Sequence, residues 1–259
     1  MADEHAVYEY AKTQRELLKF SSENIAPAAP VYVAWLDLMG AGHIMSVSVQ
    51  KSANFLVRLH MAVERSAQEH KFTGTRLPIN DGIYLVSESK IEIISMVQSV
   101  MVMMASLFIA TKAPHDRCLV RGAIAFGPVY RGQDLVGGMS KKMQQSPAFL
   151  ENVLFGPPII QAYKAEGTAP PYGIAIHESA RNFSPEEDPP FKMTHWLWWQ
   201  RHDENAPGNG RGYGDVKAVL GSQLAGHFEW MEKTLIFHGV PMEKVKSWKT
   251  LCDQYFSAG

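Results

Sequence analysis

Val31, Tyr32, Val33, Ala34, Trp35 and Leu36 form a near-continuous apolar run that stops at Asp37. Such a run reads as a strand buried on both faces, and the rest of the chain must then supply the layers that cover a sheet. Asp37 falls where this strand leaves the core, in Asp37-Leu38-Met39-Gly40. A second aspartate has a comparable setting. Asp81, in Ile79-Asn80-Asp81-Gly82, occupies the predicted tip of a hairpin between strands over 75 to 79 and 83 to 87, where Asn and Gly favour a tight turn with positive φ. Pro78 marks the first of these strands as irregular or as an edge. Two carboxylates leaving one sheet at one edge can share an oxygen-seeking cation.

The remaining elements follow from periodicity and punctuation. A helix is predicted over about 5 to 20, and Phe55, Leu56, Leu59 and Val63 recur at helical spacing, which predicts a long amphipathic helix over 44 to 67. A further helix spans 90 to 112. Residues 118 to 126 and 129 to 131 read as a second hairpin broken at Gly127-Pro128, followed by a helix over 156 to 166 and a strand over 172 to 176. This order predicts an α+β fold, a mixed β-sheet with helices packed on one face. One domain is expected over 1 to 259, with its core over 28 to 180. Residues 184 to 214, rich in Pro, Gly, Asp and Asn around Trp196, Trp198 and Trp199, read as an excursion with one extra strand. Val216, Val219, Leu220, Leu224, Met231 and Leu235 mark the first of the C-terminal helices within 215 to 256, and Pro241 opens the last.

Composition narrows the function. A formal charge of −1 and an isoelectric point near 6.8 provide no field to gather nucleic acid or an anionic membrane. Cys118 and Cys252 stand far apart without a Cys-x-x-Cys, which indicates neither a thiolate zinc site nor a disulfide framework and fits a cytoplasmic location. The acidic start, Met1-Ala2-Asp3-Glu4, lacks the order of a signal peptide. Ile93 to Thr111 carries no charge over 19 residues, the length of a membrane span. Its Ser95, Gln98, Ser99 and Ser106 fall along one side of a helix, so a buried or interface helix is expected instead of a span. Histidines at 195, 202 and 227 show no recognised metal-ligand spacing, and the tryptophans at 196 to 199 are expected to pack in a core or a dimer contact.

Carboxylates suit Mg²⁺ or Mn²⁺, whose sites use one or two of them and leave the other positions to water and phosphate. Each aspartate taken alone also fits a turn or cap role. Gly40 and Gly42 permit a turn straight after Asp37, where backbone N–H groups can face phosphate oxygens. At this point Asp37-Leu38-Met39-Gly40 and Asp81 together resemble the class III nucleotidyl cyclases. In that family the first strand ends in Asp-[Ile/Leu]-x-Gly, and the second metal aspartate tips the next hairpin. Arg121-Gly122-Ala123-Ile124-Ala125-Phe126-Gly127 and Phe155-Gly156-Pro157-Pro158 look most like the bacterial pyrimidine cyclases of the Pycsar antiphage systems. The resemblance covers about 31 to 177.

It implies a ferredoxin-like sheet and a homodimer with active sites between head-to-tail subunits. It also implies two divalent ions, Mn²⁺ or Mg²⁺, held by Asp37, Asp81 and the Leu38 carbonyl, which would lower the pKa of the ribose 3′ hydroxyl and steady the departing pyrophosphate. The implied reaction is cyclisation of a pyrimidine triphosphate, UTP before CTP. An adenylate cyclase with a rearranged pocket and a catalytically silent nucleotide-binding scaffold are the alternatives. Substrate contacts are expected at Tyr32, Met39, Gly40, Arg76 and Leu77. The chain departs from purine enzymes in placing Leu77 where they carry a base-reading Lys or Glu, and Ile160 and Lys164 where they carry Asn and Arg. Arg121 and Lys164 are the candidate cations for the transition state, although surface ion pairing suits both equally well.

Overall fold

The computed structural model describes residues 4–200, 213–234 and 239–258. Strand β1 (Ala29–Met39) is the middle of the sheet, antiparallel to β3 (Gly82–Ser87) on one side and β4 (Leu119–Arg131) on the other. With β2 (Thr75–Ile79) the order is β2-β3-β1-β4, all antiparallel, which is the ferredoxin-like arrangement expected. Strands β5 (Leu154–Phe155), β6 (Ile174–Ile176) and β7 (His195–Trp196) extend it, with β6 parallel to β4, so the sheet is mixed.

Side-chain alternation along β1 separates two packing layers. Tyr32, Ala34, Leu36 and Leu38 face a large helical layer, while Val31, Val33 and Trp35 face the other way. The large layer contains α3 (Val49–His70), α4 (Lys90–Ala110), α9 (Gly214–Lys233) and α10 (Met242–Ser257). On the opposite face, α7 (Pro157–Glu166) lies across β1 and β4 and buries Ala162 against Val33 and Trp35. Helices therefore cover both faces, which corrects the one-face expectation. The signal was weak because α7 buries only Pro158, Ala162 and Glu166.

Helix α4 is long and apolar enough to cross a membrane by length and composition. In this fold Ile93, Met96, Val97, Val100, Met101, Met104 and Phe108 pack in the core, and two residues of its polar stripe are engaged. Ser99 accepts from Ser66 of α3 at 2.9 Å, and Gln98 donates to the Trp198 carbonyl at 2.6 Å. Trp196, Trp198 and Trp199 are buried in the same core.

Two boundaries differ from expectation. The long helix predicted over 44 to 67 is α2 (Ala41–Val47) and α3, divided at Ser48, whose hydroxyl caps α3 by accepting from the Lys51 N–H at 3.1 Å. The predicted break at Gly127-Pro128 is absent. Strand β4 runs through it, because Pro128 faces Pro30 of β1, a pair in which neither residue has an N–H to offer the ladder. The remaining helices are α1 (Glu4–Leu17), α5 (Lys141–Gln144), α6 (Pro147–Asn152) and α8 (Glu178–Asn182). Leu235 and His202 lie outside the described residues.

Candidate functional site

The sheet brings the two aspartates together through its register. Asp37 faces Gly82 of β3 on one side and Arg121 of β4 on the other. Asp81 precedes Gly82 in the hairpin, where Asn80 takes the left-handed φ of 52° that the turn requires. The Leu38 N–H donates to the Asp81 carbonyl at 3.1 Å, which ties the end of β1 to the hairpin tip. Gly82 is required here, since a Cβ would overlap the Trp35 ring and the Leu36 carbonyl. That packing places the indole over the residue opposite Asp37. Trp35 is 4% exposed, and its ring centroid lies 4.4 Å from that of Tyr84 and 5.9 Å from that of Tyr163 on α7.

A third carboxylate joins them. Glu166, the last residue of α7, reaches the same face and forms an ion pair with Arg121. The Arg121 side chain is 13% exposed and that of Glu166 9%, so the pair is largely desolvated. Burial, then the charges of Glu166 and Asp81, push the Asp37 carboxyl up to about 7, against a smaller opposing effect from Arg121. Burial also raises Glu166, which Arg121 and Lys244 of α10 partly offset. Two buried carboxyls raised in this way are relieved by a cation.

The donors are hard oxygens, which fit Mg²⁺ or Mn²⁺ and not a soft metal. Among the described residues no group of three or more His, Cys, Asp or Glu forms a cage for a metal ion. A paired carboxylate site of the Mg²⁺ kind needs no cage, since backbone oxygen, water and substrate phosphate complete it.

The other expected residues divide by face. Leu77 packs beside the Val33, Trp35 and Tyr84 cluster, on the Asp37 side of the sheet. Arg76 points to the helical layer, where its Nε donates to Glu64 of α3 at 3.0 Å. Tyr32 is fully buried in that same layer against Phe126 and Phe191, across the sheet from Asp37. The structure thus does not bring Tyr32 or Arg76 to the carboxylates. A spacing of five along a strand already places Tyr32 opposite Asp37. Met39 and Gly40 close β1, and Gly40, at φ 78°, turns the chain into α2. Lys164 is exposed on α7, and among the described residues it makes no ion pair. Arg121 is already committed to Glu166 and lies near the carbonyls of Gly167 and Ala169, at 3.4 and 3.5 Å. Glu166 had no sequence signal, because a lone Glu ending a helix is ordinary.

No family model matches the chain, and no curated protein matches it in sequence. Among solved structures it is similar to the guanylyl cyclase domain of the RhoGC fusion protein from the aquatic fungus Blastocladiella emersonii. That match has 18% identity and a TM-score of 0.44, over 60% of this chain and 85% of the other. The guanylate cyclase domain of RhGC from Catenaria anguillulae, in complex with GTP, matches at 17% identity and TM-score 0.44 over 60% and 81% of the two chains. Adenylate cyclases from Trypanosoma brucei match at 12% identity and TM-score 0.44 over 64% and 80%. Likenesses of this size carry no weight on activity.

Proposed function

We propose that this chain is a cytoplasmic nucleotidyl cyclase that converts a pyrimidine nucleoside triphosphate, UTP before CTP, into its 3′,5′-cyclic monophosphate and pyrophosphate. The observation that carries the reading is the meeting of Asp37 and Asp81 at one sheet edge, close enough for the Asp81 charge to help raise the Asp37 carboxyl. Asp37, Asp81 and the Leu38 carbonyl would hold the divalent ions. When bound, these ions supply acidification of the ribose 3′ hydroxyl and charge neutralisation on the triphosphate. Arg121 fixes Glu166 and with it the end of α7 beside the carboxylates. Lys164, free on the outer side of α7, is the remaining expected cation available to developing phosphate charge.

The pyrimidine preference rests on the motif resemblance, and Leu77 supports it by placing an apolar side chain where purine enzymes carry a polar reader. A homodimer would complete the site. Ile160 and Tyr163, 58% and 57% exposed on the outer side of α7, offer it apolar contact. In an antiphage setting the cyclic product would be a signal for a separate effector.

The engagement of Arg121 by Glu166 favours one second reading, a silent nucleotide-binding scaffold. Incubating the protein with each of the four triphosphates and Mn²⁺ separates the two. Cyclic UMP or cyclic CMP supports the proposal, a purine product redirects the specificity, and nucleotide binding without any product supports the scaffold.

A further inference from the structure

A cavity of about 380 Å³ lies behind the β1 to α2 turn, enclosed by α2, α3, α9 and α10. It is separate from the carboxylates, which lie across the sheet on the α7 side. Its walls are mainly apolar, from Leu38, Phe55, Met231 and Trp248, and its size falls within the range of small-molecule sites. A dry cavity of about 150 Å³ holds a benzene ring, so this one has room for a body two to three times larger.

Two permanent cations, Lys51 and Arg117, line it. Among the described residues the lining contains no carboxylate, and neither cation has an ion-pair partner. Arg117 donates only to neutral oxygens, the Thr111 carbonyl at 2.8 Å and Gln223 Oε1 at 2.8 Å, and its guanidinium sits over the Phe108 ring. Burial lowers its pKa from the ordinary value, against a smaller opposing effect from Tyr172. Two cations and no carboxylate among the described residues lining an apolar cavity suit an anion from outside the chain.

We propose that this cavity binds an amphiphilic anion, a medium-length apolar body with one carboxylate or phosphate head placed between Lys51 and Arg117. Occupancy would press on Leu38 to Ala41, the segment that follows Asp37, so such a ligand is placed to tune the metal site. That tuning rests on the cyclase reading, whereas the binding itself does not.

Titration of the full chain with decanoate, decyl phosphate, decanol and decyltrimethylammonium, read by the fluorescence of cavity-lining Trp230 and Trp248 and by calorimetry, tests the binding. One site per chain is expected for decanoate or decyl phosphate, and the better of the two identifies the head group. Decanol should bind at least tenfold more weakly and the cationic analogue not at all. Lys51→Glu, at an exposed position, should weaken the anion at least tenfold without unfolding the chain. Met231→Trp, which fills the cavity, should abolish binding. The proposal is overturned if neither anion binds at millimolar concentration, if decanol binds equally well, or if Lys51→Glu leaves affinity unchanged. Loss of cyclase activity in the wild type would leave these binding results standing, which keeps the two readings distinguishable.

Discussion

Asp37→Asn should make the metal-free protein more stable at alkaline pH while destroying the proposed metal site. The Asp37 carboxyl is raised from 3.8 to about 7, chiefly by burial and then by Glu166 and Asp81. The folded state therefore holds this proton more tightly than the unfolded chain does. Stability from this group is fully present below about pH 3.8 and is lost as pH rises through about 7. At 1.36 kcal/mol for each tenfold change in proton affinity, the full loss is at most about 4 kcal/mol. Solvent reaches the half-buried carboxylate, and an Asn cannot keep its attraction to Arg121, so about 2 kcal/mol is the expected gain for Asn at pH 8. For a domain of this size that is a rise of about 4 to 8 °C in Tm. Thermal unfolding of both proteins in EDTA at pH 4 and pH 8 measures it. The variant should match the wild type at pH 4 and exceed it at pH 8, and millimolar Mn²⁺ should raise only the wild type. An Asn variant that is no more stable at pH 8, or equally shifted at both pH values, would refute the assignment of Asp37 as a carboxylate strained by its neighbours.

Arg121→Met should cost about 3 to 5 kcal/mol, because it strands the buried Glu166 carboxylate, and Arg121→Met combined with Glu166→Leu should recover much of that loss in urea titrations. Recovery of stability without recovery of turnover would give the pair a role in the reaction beyond packing. Gly82→Ala should cost about 1 to 3 kcal/mol by displacing the Trp35 ring and should weaken Mn²⁺ binding, read by calorimetry. Asp81→Asn, at the solvent-reached hairpin tip, should leave the melting curve in EDTA at pH 4 nearly unchanged while reducing Mn²⁺ affinity at least tenfold.

Much of the sheet was legible because its signals are local. The apolar run before Asp37, the Asn80-Asp81-Gly82 turn and the polar stripe of α4 each dictate their own conformation. What eluded the sequence depends on pairing across distance. Strand β4 survives Gly127-Pro128 only because Pro30 stands opposite, and no property of residues 118 to 131 reveals that. Glu166 becomes part of the site only when α7 lies across the sheet and meets Arg121, which is 45 positions earlier. The Tyr32 expectation failed for a reason the sequence did contain, since an odd spacing from Asp37 points the ring to the opposite layer.

The most direct measurement of the central claim is product formation from each of the four nucleoside triphosphates with Mn²⁺, comparing the wild type with Asp37→Asn and Asp81→Asn. The account predicts a 3′,5′-cyclic pyrimidine nucleotide and equimolar pyrophosphate from the wild type alone. Undiminished turnover in either variant, or no cyclic product from any triphosphate with the wild type, would contradict it.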